Sequence, residues 1–159
     1  MVKDWNILNL LCGPWFWSAF LGWIVAQLIK MAISFCKTRN LDLQYLVSTG
    51  GMPSAHSSLV CALLTSVGLT EGFDAPITMV AVGFASITMF DAAVVRRAAG
   101  KQAKILNQLL KERAMGRELR KTKLKELLGH TRREVFAGMV TGIAVAVCVI
   151  YFWPFHAVK

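Results

Sequence analysis

With 159 residues the chain has the length of one domain, and it carries a formal charge of +9 on a composition that is 55% apolar. Fifteen of the eighteen Lys and Arg fall between positions 37 and 135 while long stretches elsewhere are uncharged, a segregation that excludes a soluble globular protein and points to an integral membrane one. Nucleic acid is excluded as the partner of these bases, because Trp5, Trp15, Trp17, Trp23 and Trp153 all sit toward the chain ends and few aromatic residues lie among them.

A helix needs about 20 apolar residues to cross the ~30 Å hydrocarbon core, and four stretches answer to that. The first covers about 14–33, with Trp15 and Trp17 suited to one interface and Lys30 to the other. It lacks the basic leader and small-residue cleavage site of a signal peptide, which predicts a retained span. The second, 54–70, is short at ~25 Å and opens at Pro53-Ser54-Ala55-His56 behind Gly50-Gly51. Asp74-Ala75-Pro76 supplies an N-cap and a first-turn proline for the third, which runs over 76–95 and stops at Arg96-Arg97. Over 98–128 the spacing of Ile105, Leu106, Leu109 and Leu110 predicts a basic cytoplasmic helical segment, either a solvated hairpin or an arm resting on anionic lipid. The fourth span covers about 135–153 and is closed by Pro154. The expected fold is therefore all-α, a polytopic membrane helix bundle of about four spans forming one domain over 1–159. Cys12, Cys36, Cys61 and Cys148 form no CxxC pair and read as small buried hydrophobes.

Alternating the crossings brings the end of span one, the start of span two, the end of span three and the start of span four to one side. Sixteen of the eighteen basic residues fall there, with only Lys3 and Lys159 opposite. The positive-inside rule makes that side cytoplasmic and puts both termini across the membrane.

The same side gathers residues with phosphate chemistry. Ser54 and His56 occupy the first turn of span two, where free amides and the positive helix end favour an anion. His130 and Glu134 stand four apart at a helix start. A carboxylate so placed can hold one imidazole nitrogen and leave the other as a nucleophile. Arg96, Arg97 and Lys101 follow span three, and arginine's planar fork suits phosphate oxygens. Asp91, inside that span, is a functional candidate because an intramembrane carboxylate is costly. Each has a plainer reading too: an N-cap for Ser54, an interfacial polar pair for His130 and Glu134, stop signals for the arginines.

These residues carry a resemblance. Pro53-Ser54-Ala55-His56 resembles the Pro-Ser-Gly-His motif of the phosphatidic acid phosphatase type 2 and vanadium haloperoxidase superfamily, and His130-Thr131-Arg132-Arg133-Glu134 resembles its final His-x-x-x-Asp motif. With Asp91 and the run Val95-Arg96-Arg97-Ala98-Ala99-Gly100-Lys101, the chain is similar to the divergent branch of that group. The resemblance implies a metal-independent, cofactor-free phosphatase. In it His130 attacks phosphorus, Glu134 orients His130, and His56 protonates the leaving alkoxide and then activates water. Ser54, Arg96, Arg97 and Lys101 hold the phosphate oxygens, and Lys30 with Lys37 or Arg39 echoes the first family motif. The chain departs from the pattern in using Glu for Asp, in having Leu124 where a Ser-Arg pair precedes the histidine, and in lacking a proline after Arg39.

The expected activity is hydrolysis of a lipid phosphomonoester or pyrophosphate at the cytoplasmic face, with a phospholipid or polyprenyl phosphate as substrate and the bilayer as environment. Two alternatives stand beside it: a non-catalytic lipid-phosphate binder or transporter, and a metal-dependent hydrolase built on Asp91, Glu134 and the histidines. Four short spans bury modest area, which adds the expectation of a homo-oligomer without an interface to assign, and Gly138-x-x-x-Gly142 signals close helix packing.

Overall fold

The computed structural model describes residues 11–39, 51–113 and 131–153, and among them every regular element is helical. Helix α1 (Pro14–Thr38) has proline in its first turn, where the missing N–H is no loss. It ends at Arg39, whose left-handed backbone (φ 54) returns its N–H to the Phe35 carbonyl. Helix α2 (Ala55–Glu71) is capped by Ser54 and ends at Gly72, φ 100. The Thr78 hydroxyl donates to the Gly72 carbonyl at 2.7 Å and closes the turn into α3 (Pro76–Phe90). A π-helical turn, Asp91–Val95, leads without a break into α4 (Arg96–Arg113). Helix α5 (Arg132–Phe152) opens with a capping box between Thr131 and Glu134.

Several sequence expectations are corrected. The helix of the span expected over 76–95 and the helical segment expected from 98 are joined without a break through Arg96-Arg97, because no proline follows Pro76 before α4 ends and charged residues do not break a helix outside hydrocarbon. The first helix runs beyond its expected span, to Thr38, and the last begins at Arg132, ahead of the expected span and one residue after the N-cap Thr131. The N-cap of α3 is Ala75, not Asp74. Of the cysteines only Cys61 is buried; Cys12, Cys36 and Cys148 are exposed. Within the expected basic segment 98–128, positions 114–128 lie outside the described residues, as do the chain ends.

Small side chains build the core. At every fourth position the inward faces carry Ser18, Gly22, Ala26 and Lys30 on α1, Ser54, Ser58, Ala62 and Ser66 on α2, and Gly138, Gly142, Ala146 and Ile150 on α5, all of them buried. Rows four apart are the ridges along which helices interdigitate. A Cβ on Gly138 would collide with the Ser54 carbonyl, one on Gly142 with the Ser58 carbonyl, and one on Gly22 would meet the Ala62 Cβ at 2.9 Å. Lipid supplies no hydrophobic drive between helices, so backbone approach of this kind is what holds such a bundle together. The glycine pair that signals close packing is used within the chain, against α2.

Two polar contacts fix the register of α1 on α2: the Ser58 hydroxyl donates to the Gly22 carbonyl at 2.7 Å, and the Trp15 indole N–H to the Thr70 hydroxyl at 2.7 Å. They make α1 and α2 antiparallel, whereas the Ser54–Gly138 and Ser58–Gly142 approaches make α2 and α5 parallel. Helix α3 runs back along α2, with the Cys61 thiol 3.6 Å from the Met89 sulfur. Three helices among the described residues are long and apolar enough to cross a membrane: Pro14–Cys36, Pro76–Leu109 and Arg132–Phe152. Helix α2, at 17 residues, is shorter, and it is enclosed by α1, α5 and α3.

Candidate active site

That packing brings the end of α1, the start of α2, the π-helical turn and the start of α5 to one end of the bundle. The decisive contact is backbone to backbone. The Ser54 N–H donates to the Glu134 carbonyl at 3.0 Å, and the Ser54 carbonyl rests on the bare Cα of Gly138. Two parallel helices are thus stapled at their N-termini. Both bring the positive end of a helix dipole toward this end of the bundle, a charge suited to an anion.

His56 sits half-buried in the first turn of α2, two residues past the staple residue Ser54. His130 lies outside the described residues; its neighbour Thr131 is the N-cap of α5. Glu134 reaches back so that its Oε2 accepts the Thr131 N–H at 2.7 Å, while the Thr131 hydroxyl accepts the Glu134 N–H at 3.4 Å. The carboxylate expected to orient His130 therefore fixes the backbone immediately after it.

Lys30 comes to this end from α1. Only 4% exposed, it extends along Gly51, where a side chain would meet its methylenes at 3.4 Å. Gly51 has φ +96, a conformation that favours glycine and lets the backbone close over the lysine stem. The Glu134 carboxylate attracts the buried Lys30 ammonium electrostatically. Such an attraction offsets part of the cost of burying a cation.

Ser54 is fully buried. Its hydroxyl oxygen accepts the Ser57 N–H at 3.4 Å and the Ser57 hydroxyl at 3.0 Å. Asp91 is half-buried at the head of the π-helical turn, Lys101 is exposed on α4, and Arg39 is exposed at the end of α1. Arg96 and Arg97 belong to the first turn of α4, and Lys37 to the last turn of α1; their side chains lie outside the described residues. Among the described residues no three His, Cys, Asp or Glu side chains gather as metal ligands, so Asp91, Glu134 and His56 do not form such a set.

Sequence reasoning missed Ser57, which braces the Ser54 hydroxyl, and Thr131, which caps α5. The Thr131-x-x-Glu134 spacing was the available signal for the second; nothing in the local sequence marks the first.

A model of the divergent PAP2 family matches residues 12–145. The chain belongs to the divergent PAP2 family. It is 45% identical over 148 residues to the uncharacterized membrane protein YuiD of Bacillus subtilis (strain 168), an alignment covering 86% of this chain and 93% of the relative. No solved structure matches the chain significantly. Within this family, the three apolar helices and the membrane-protein relative identify a membrane protein. The matched region includes both staple residues, Ser54 and Glu134, and also Lys30.

Proposed function

We propose that this divergent PAP2 protein is a lipid phosphate phosphatase whose active site is the stapled end of α2 and α5. The observation that carries the reading is the Ser54 N–H to Glu134 carbonyl bond, which joins the first turn bearing His56 to the helix that follows His130. Family membership supports the same chemistry.

In the proposed reaction a phosphate monoester lodges at the paired helix N-termini, next to the Lys30 ammonium. A ring nitrogen of His130 attacks phosphorus as the ester P–O bond breaks, and His56 gives its proton to the leaving alkoxide. His56, now neutral, takes a proton from water as that water attacks phosphorus and the P–N bond breaks, which releases inorganic phosphate and restores both imidazoles. Developing charge on the phosphoryl oxygens is met by Lys30, by first-turn amides and by Arg96 and Arg97, with Lys101 adding to the field at longer range. Lys37 and Arg39 extend the basic field, and Asp91 supports the arginines. No metal or cofactor takes part.

Four crossings, with α2 as the short central one, put the site at one membrane surface. The concentration of Lys and Arg on that side makes it cytoplasmic and places both termini opposite. A phospholipid or polyprenyl phosphate then enters laterally from the inner leaflet, its chains in lipid and its phosphate at the staple. The whole chain acts as a single membrane domain.

A second reading, a cradle that binds lipid phosphate without turnover, draws on one observation: the Ser54 hydroxyl and the Glu134 carboxylate are already engaged in capping. One assay separates the two. Purified protein offered phosphatidic acid, phosphatidylglycerophosphate and polyprenyl phosphates should release phosphate in the presence of chelator and be inhibited by vanadate. His56→Ala and His130→Ala should each lose on the order of 10²–10⁴-fold in rate. Full activity in His130→Ala refutes the phosphatase reading, and binding without release by wild type selects the cradle. Loss with chelator and rescue by added metal selects the metal-dependent alternative.

A further inference from the structure

Helix α4 is left over by the phosphatase reading. The 15 residues of α3 and the 5 of the π-helical turn together rise roughly 30 Å, the thickness of the hydrocarbon core. The 18 residues of α4 follow with no break, so they begin where the hydrocarbon ends. The π-helical turn lies at that boundary, and a π-turn is one of the few features at which a helix axis bends.

The two sides of α4 differ in kind. Gly100 and Asn107 are buried and Ala103 is half-buried, which marks the inward side. On the outward side Lys101, Ile105 and Leu109 recur every fourth residue as a single stripe, with Leu106 on one flank and Lys104 on the other. Ile105 is 57% exposed, Leu106 48% and Leu109 53%, and both lysines are exposed. Over 96–113 the sequence holds six Lys or Arg and one Glu. A helix rising into water would hold this apolar stripe against solvent. One lying at the interface puts the stripe into the acyl boundary and lets the lysine heads reach outward to headgroups.

We propose that the outward face of α4 is an interfacial lipid-binding surface, with Ile105, Leu106 and Leu109 embedded at the acyl boundary and Lys101 and Lys104 on the headgroups of anionic lipids. Charge selects the occupant: the stripe is apolar with a cationic margin, continuous with a membrane helix, and its complement is an anionic leaflet. A second copy of this chain would bring an equally basic α4 to the contact and be repelled.

The inference does not depend on the phosphatase reading, and its test needs no turnover. Amide hydrogen exchange of the full chain is followed in nanodiscs of phosphatidylcholine alone and of phosphatidylcholine mixed with phosphatidylglycerol. Amides of 98–109 should exchange more slowly in the anionic discs. Each lysine near an anionic surface contributes about fivefold to partitioning, so Lys101→Gln with Lys104→Gln should erase a lipid-dependent difference of up to roughly thirtyfold. Ile105→Asn with Leu109→Asn should raise exchange in both lipids while leaving amides of α2 and α5 protected. Equal exchange of 98–109 in the two lipids overturns the proposal. So does protection that follows the number of protein copies per disc instead of lipid charge.

Discussion

The bundle has two halves built on different rules. In α1, α2 and α5 backbones meet directly through glycine, alanine and serine, and the chemistry at their shared end is held by main-chain contacts. Helix α3, the π-helical turn and α4 lie at the periphery, where Val80, Ile87, Phe90 and Ile105 face outward. Rigid close packing is what a nucleophile and its proton donor require, since their separation must be kept to a fraction of an ångström. Cations that gather phosphate oxygens work through longer-range fields and tolerate a looser mount. Under the proposed phosphatase reading the two halves would divide the labour in this way: His56 and Glu134 sit on the packed half, with Lys30 as a buried cation mounted there, and Asp91 and Lys101 sit on the other.

The sharpest way to break this comparison is to put the same bulk into both halves. Gly138→Leu drives a side chain into the Ser54 carbonyl, a backbone neighbour that cannot retreat. It should destabilise by about 3 kcal/mol or more, seen as loss of a monodisperse peak in detergent. Gly83→Leu on α3 has nothing within 4 Å of the added Cβ and should keep that peak. Equal damage would remove the distinction between the halves.

Next in size is Glu134. Glu134→Ala removes the cap on Thr131 and an attractive charge on the buried Lys30 together and should cost about 2 kcal/mol. Glu134→Gln retains the capping hydrogen bond and should recover most of the thermal stability without recovering activity. If Gln restores activity too, the charge near Lys30 has no catalytic part. Thr131→Ala removes one hydroxyl cap and should lower stability by about 1 kcal/mol, read as a modest fall in melting temperature with the fold intact.

Smallest should be Lys101→Gln. An exposed lysine on the peripheral half contributes on the order of 1 kcal/mol at an anionic surface. Its loss should change turnover severalfold at most, with the difference shrinking as salt rises. A total loss of activity would move Lys101 into direct contact with the substrate.

What the sequence made legible follows the physics of each signal. Apolar length announced α1, α3 and α5, because a run long enough to cross a bilayer has few other uses. Ser54 was readable as an N-cap. Lys30 was readable as a boundary residue but not as a buried one, since its burial depends on Gly51 closing over it from another segment. Arg96-Arg97 was readable as the end of a span but not as part of one unbroken helix, because charge ends a membrane span without ending a helix. Gly138 and Gly142 announced close packing yet not the partner; only the register of α2 shows that the partner is intramolecular. Ser57 could not be found at all, because its role is a 3.0 Å contact between two hydroxyls.

The most direct test traps the covalent intermediate. p-Nitrophenyl phosphate has a leaving group that needs no proton, so its transfer to the enzyme can proceed without His56 while breakdown still requires it. Rapid quench of His56→Ala with this substrate should accumulate a base-stable, acid-labile phosphopeptide containing His130, with wild type showing little and His130→Ala none. A phosphoenzyme mapped to another residue, or turnover that persists in His130→Ala, would contradict two imidazoles acting on one phosphorus atom.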